Sequence, residues 1–136
     1  MYSQTEMKNQ IKENSNYDNK ELISELEKQV SISIWIQTIG KIMEALYITK
    51  LMLPSEEARM DPNEKQIVQG VWIQTIGQFV EAVGVTEEAL SNEDISRLEG
   101  AITANIGDWL QGIGTIYEAY AGTQIIAEGR TDLFVP

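Results

Sequence analysis

Cysteine and histidine are both missing from this chain of 136 residues. Their absence removes the disulfide framework, the thiolate nucleophile, zinc-finger spacing and every Cys-His or Ser-His relay. Positive charge is scarce, with 10 Lys and Arg against 21 Asp and Glu, a formal net charge of −11. A surface of that sign repels phosphate backbones and anionic lipid, so no nucleic-acid partner is expected. Long apolar runs are also lacking. The longest uncharged stretch, Gln66–Val80, is fifteen residues and holds four glutamines. A spanning helix needs roughly 20 largely apolar residues, so stable membrane insertion is not expected. The polar first twenty residues carry no apolar core with a small-residue cleavage site, which makes the cytoplasm the expected location. Proline is rare, at three residues, and leaves long segments free to be helical.

What the chain does have is enough apolar residue, 43%, to build a core without metal or disulfide staples, and a strongly uneven charge. Residues 1–50 carry 6 basic and 7 acidic groups, and residues 51–136 carry 4 and 14. It also has an internal repeat. Trp35-Ile36-Gln37-Thr38-Ile39-Gly40, Trp72-Ile73-Gln74-Thr75-Ile76-Gly77 and Trp109-Leu110-Gln111-Gly112-Ile113-Gly114 follow one another at 37-residue spacing without a gap. Each is followed by Glu-Ala, at Glu44, Glu81 and Glu118.

Each copy reads as one helix. In the second, Ile67, Val68, Val71, Trp72, Ile76, Phe79, Val80 and Val83 leave only a narrow polar arc at 100° per residue, so that helix needs neighbours on more than one side. Val30-Ser31-Ile32-Ser33-Ile34-Trp35-Ile36 alternates like a strand, but its counterparts in the other copies do not, and register across the copies favours helix. Asp61-Pro62-Asn63-Glu64 supplies a helix start, as do Ser91 or Asn92 before Asp94, and Asp18-Asn19-Lys20-Glu21 resembles a capping box. Pro54 ends the first helix, and Gly84 and Gly122 are expected stops for the other two. The connectors Pro54–Met60 and Val85–Asn92 are too short for a returning helix, so successive helices run antiparallel. The expected fold is all-α, an antiparallel helical bundle of three 37-residue repeats with one long helix each. Residues 1–18 form a polar segment, flexible or a short helix, 19–122 the repeat bundle, and 123–136 a C-terminal segment, docked or flexible. A fourth element must cover the broad apolar faces: Thr5–Ser15, the run Thr123–Phe134, or another chain.

Gly70, Gly77 and Gly84 lie seven apart, as do Gly100, Gly107 and Gly114, with Ala121 continuing the row. Ser33, Gly40 and Tyr47 hold the matching places in the first copy. A glycine inside a helix costs about 1 kcal/mol against alanine, so such rows need a return, and close backbone approach supplies one. Rearrangement from a soluble to a membrane-associated or assembled form is the sharper reading of the same rows. Phosphate binding is the weakest, because Gly112-Ile113-Gly114 has no strand before it and no Lys-Ser or Lys-Thr after it.

Glu44, Glu81 and Glu118 are the candidate carboxylate cluster for a cation or for acid-base work, but reversal of alternate helices separates them, and a solvated rim is the plainer reading. Trp35, Trp72 and Trp109 read as packing anchors rather than a ligand cage. Together with Gly40, Gly77 and Gly114 these residues are the structural anchors of the repeat. No nucleophile-base-orienter set is present, so no catalytic residue, cofactor or metal ligand is assigned. The Trp-x-x-x-Ile-Gly segments followed by Glu-Ala resemble an uncharacterised repetitive protein family of Bacillus-like bacteria over roughly residues 30–122. That family has no assigned activity, so the resemblance implies no site residues. The expected role is a non-catalytic structural or protein-interaction one, with self-association or another helical protein as partner. The alternatives are a membrane-active helical protein and a carboxylate-based cation-binding module or hydrolase.

Overall fold

The computed structural model describes residues 3–130. Four helices account for most of them: α1, Gln4–Met52; α2, Glu56–Met60; α3, Pro62–Leu90; and α4, Asp94–Ala127. The three long helices pack as a bundle in which α3 contacts both α1 and α4. Contacts between α1 and α3 descend in one helix as they climb in the other, from Ser31 with Thr86 to Lys41 with Gln74, so the two are antiparallel. The same holds for α3 and α4, where Gly70, Gly77 and Gly84 meet Gly114, Gly107 and Gly100 in turn.

Helix boundaries follow local chemistry, in places against expectation. Ser3 caps α1 through a reciprocal capping box with Glu6, so the helix starts there and Asp18–Glu21 lies inside it. One unbroken helix also takes in the alternating Val30–Ile36 run; tertiary packing of Ser31 and Ile34 overrides their strand preference. At 49 residues α1 is about 73 Å long, against about 43 Å for α3, and its first turns, up to about residue 19, project from the bundle with their side chains exposed. Ser55 caps the single turn of α2, and Asp61 caps α3 through the N–H groups of Asn63 and Glu64, with Pro62 in the first turn. Neither Ser91 nor Asn92 caps α4; Glu93 stands at that position without a side-chain bond, and the Ser91 hydroxyl accepts from the Glu93 N–H instead.

Gly84 and Gly122 are not stops. Gly84 is an interior packing residue, and α4 continues past Gly122 because Ile125 beyond it is buried in the core. The chain leaves α4 through Gly129, whose φ of 77° is the left-handed conformation that glycine adopts without strain. The core cluster sits at one end, where Ala58 of α2 closes over Ile67, Val68, Ala121 and Ile125. The fourth helix, α2, closes only one end of the bundle and leaves broad apolar faces open, and neither Thr5–Ser15 nor residues 123–127 serve as a separate wall. The expectation for the C-terminal segment falls in part on residues 131–136, outside the described residues. No described helix is long and apolar enough to cross a membrane.

Candidate functional site

Two seams hold the long helices together, and they differ in kind. Between α3 and α4 backbone meets backbone. A Cβ built on Gly77 would lie 2.7 Å from the Gly107 carbonyl oxygen, and one on Gly100 would lie 2.7 Å from that of Gly84. Real Cβ atoms do not approach so closely, so only glycine fits and the helices touch along these rows. The return on roughly 1 kcal/mol lost per glycine is dense dispersion contact and Cα–H···O pairing. On either side of the rows two amides reach across to two carboxylates. The Gln111 side chain donates to Glu81 at 2.6 Å, and the Gln74 side chain donates to Glu118.

Between α1 and α3 the contact runs through side chains. Ser31, Ile34, Thr38 and Ala45 of α1 are buried against Val71, Thr75, Gln78 and Ala82 of α3. Here too the hydrogen bonds come in matched pairs. The Trp35 indole N–H donates to the Thr86 hydroxyl oxygen at 2.8 Å, and that of Trp72 donates to Thr49 at 2.9 Å. Both threonines have turned their own protons back onto the helix, Thr86 to the Ala82 carbonyl and Thr49 to that of Ala45, which leaves each oxygen facing out as an acceptor. The Thr75 and Thr38 hydroxyls likewise donate within their own helices, to the Val71 and Ile34 carbonyls at 2.8 Å, and lie 3.2 and 3.5 Å from the Lys41 and Gln78 carbonyls across the seam. On α3 the two seams lie roughly 140° apart at 100° per residue, so α1 and α4 lie on well-separated sides of α3.

The carboxylates expected as a possible cluster do not converge. Glu44 pairs with Lys41 at 2.8 Å, while Glu81 and Glu118 each meet a glutamine at different points of the α3–α4 seam. Among the described residues no group of three or more Asp and Glu is placed to hold a metal ion. Charge pairing concentrates instead at the helix ends. Arg97 of α4 grips Glu27 of α1 at 2.7 Å, and Arg130 pairs with Asp61 at 2.7 Å and with the buried Glu64. Burial works to raise the Asp61 pKa, but the Glu64 N–H, Arg130 and the Asn63 N–H together outweigh it and hold the carboxyl below its ordinary range. Two apolar grooves flank the bundle. One, of about 330 Å³, lies between Leu26 and Val30 of α1 and Val85 and Ala89 of α3. The other, of about 510 Å³, is lined by Ile48, Ile67, Ile125 and Ile126, with Glu118 and Arg130 at its rim.

The anchors of the three repeat segments have different surroundings. Trp35 is half-buried, edge-on to Phe79 with ring centroids 5.7 Å apart. Trp72 is 36% exposed, and Trp109, expected as a packing anchor, is 69% exposed. Gly77 and Gly114 are locked in the α3–α4 seam, whereas a Cβ on Gly40 would meet nothing within 4 Å. One open surface is on α4: Trp109, Ile116 and Ile126, each about 70% exposed, border Gly112, Ala119 and Gly122, and its far end, at Ala119, Gly122 and Ile126, opens into the larger groove beside Ile48 and Ile67. Thr123 on this face has turned its proton onto the Ala119 carbonyl at 2.8 Å, the same posture as Thr49 and Thr86. Sequence reasoning missed this face because it sought a buried role for every tryptophan; the signal was the threonine that follows each tryptophan by fourteen positions. Compared with protein families, curated proteins and solved structures, the chain matches none.

Proposed function

We propose that this is a non-catalytic, self-associating structural or interaction protein, made of three copies of one helical unit with a 37-residue period. The observation that carries the reading is the unpartnered side of α4, where large apolar side chains lie open on a helix whose glycine row is packed against α3. Contiguous apolar surface of that extent on a soluble helix marks an interaction site. The glycine rows of α3 and α4 are already used within the chain, so association falls to the remaining helix faces. Support for the repeat comes from the matched bonds: Trp35 to Thr86 with Trp72 to Thr49, and Gln74 to Glu118 with Gln111 to Glu81, link positions that the 37-residue spacing makes equivalent.

Multi-angle light scattering on the full chain across a hundredfold concentration range tests the reading. A mass that rises from 15.3 kDa to a defined multiple is expected; 15.3 kDa at every concentration would contradict it. A second reading, a membrane-active protein, draws on the row Ile95, Leu98, Ile102, Ile106 and Ile113, all exposed on α4. It requires leakage of dye-loaded neutral vesicles at lowered pH, where the carboxylates lose their charge.

A further inference from the structure

We infer that the open face of α4 pairs with the same face of a second copy, forming a two-fold dimer held by reciprocal Trp109-to-Thr123 hydrogen bonds. This rests on the self-association proposed above and names its partner and geometry.

The argument is one of equivalent positions. In the α1–α3 seam each tryptophan donates to the threonine that stands fourteen positions beyond the other tryptophan. Trp35 and Thr49, and Trp72 and Thr86, are thus two copies of one donor–acceptor set, satisfied across an approximate two-fold axis. Trp109 and Thr123 are the third copy of that set. Inside the chain they have no third helix to meet, because α3 has spent its own set on α1. Only a second α4 offers the same set in the antiparallel sense. Thr123 donates to the carbonyl one turn back, as Thr38, Thr75 and Thr115 also do, which turns its oxygen outward as in Thr49 and Thr86.

The rest of the face fits a helix at the same distance. Ala119 holds the place of Ala45 and Ala82, both fully buried in the α1–α3 seam, yet it is itself exposed. Asn105 stands where Ser31 reaches Thr86 at 2.9 Å, and Ile116 stands where Phe79 packs on Trp35. Gly112 has open space above it, enough for a side chain of the partner. The exposed Trp109, Ile116 and Ile126, with the small residues between them, form an apolar centre with a polar rim, the make-up of a protein–protein interface. Two core positions of the seam depart: Gly112 takes the place of the buried Thr38 and Thr75, and Asp108 that of the buried Ile34 and Val71, which weakens the pairing and keeps it reversible.

Assembly stops at two. To extend further, α1 would have to form a glycine seam with its outer side, but Ser33 and Tyr47 stand there in place of Gly70 and Gly84. A Cβ at Gly70 would already lie 2.8 Å from the neighbouring helix, so a tyrosine in such a row forbids the approach.

Sedimentation equilibrium on the full chain and three variants tests this. The wild type is expected to be a dimer that dissociates on dilution. Ala119→Arg, on the inferred face, is expected to give the monomer at every accessible concentration with unchanged helical circular dichroism. Ile106→Arg, exposed on α4 but off the face, is expected to leave the dimer intact. Asp108→Ile restores the aliphatic residue of the other two copies and is expected to tighten the dimer by about tenfold, a gain that a misfolded variant cannot produce. A dimer that survives Ala119→Arg and is lost in Ile106→Arg, an association unchanged or weakened by Asp108→Ile, or a growing series of oligomers, would overturn the inferred geometry and leave self-association standing. A wild type that is monomeric at all concentrations would overturn both.

Discussion

The α3–α4 seam and the α1–α3 seam join the same kind of helix by opposite means. In the first, glycines remove the side chains and the backbones meet. In the second, alanine, threonine and tryptophan keep the helices apart and bond across the gap. The difference teaches where specificity resides. A backbone seam depends on the absence of atoms, so it is brittle to any addition. A side-chain seam depends on matched donors and acceptors, so it is sensitive to their removal. The helix in the middle, α3, carries both kinds of face and uses both at once.

The sharpest break is at the glycine rows. Gly77→Val would place its side chain against the Gly107 carbonyl and should cost about 3 kcal/mol by forcing α3 and α4 apart. The equivalent change Gly40→Val, where nothing lies within 4 Å, should leave urea unfolding of the chain nearly unchanged. Equal losses at both positions would mean that the seam owes little to close approach. A smaller effect is expected in the side-chain seam. Thr86→Val keeps the shape but removes the acceptor for both Trp35 and Ser31, and should cost about 2 kcal/mol, or about 1 for each part-buried hydrogen bond. Hydrogen exchange should then rise in α1 residues 31–45 before it rises in α3 and α4; uniform loss of protection would contradict the separation of the two seams.

The smallest effect concerns the end of the bundle where Arg130 grips Asp61 and Glu64. Because the Asp61 pKa is lowered in the folded state, its contribution is fully present above the unfolded value of about 3.9 and fades as pH falls through the lower folded one. Asp61→Asn keeps the cap on α3 but not the charge, so its stability deficit should be below about 1 kcal/mol at pH 7 and should shrink towards zero in acid. A deficit that grows as pH falls would reverse the sign of the linkage.

Much of this was legible in the residues. Apolar spacing and the short connectors pointed to long helices, Asp61-Pro62 marked the start of α3, and seven-residue glycine spacing pointed to close approach. The failures share one cause. Gly84 and Gly122 read as stops because a local rule about glycine at helix ends was applied where packing decides. Asp18–Glu21 read as a start because Ser3 and Glu6, fifteen positions earlier, offered a complete capping box that went unnoticed. Trp109 was expected to pack because it shares a recurring, aliphatic-flanked site with Trp35 and Trp72, and nothing local reveals how many helices remain to be met.

The sequence by itself settled what depends on periodicity: the helices, their apolar and small-residue faces, and the absence of cysteine and histidine chemistry. Only the tertiary structure decided which face meets which. That follows from counting neighbours in space. Of the three long helices only α3 packs on both of the others, so one side of α1 and one side of α4 are left open, and the position of those open sides is a property of the packed chain rather than of any one helix.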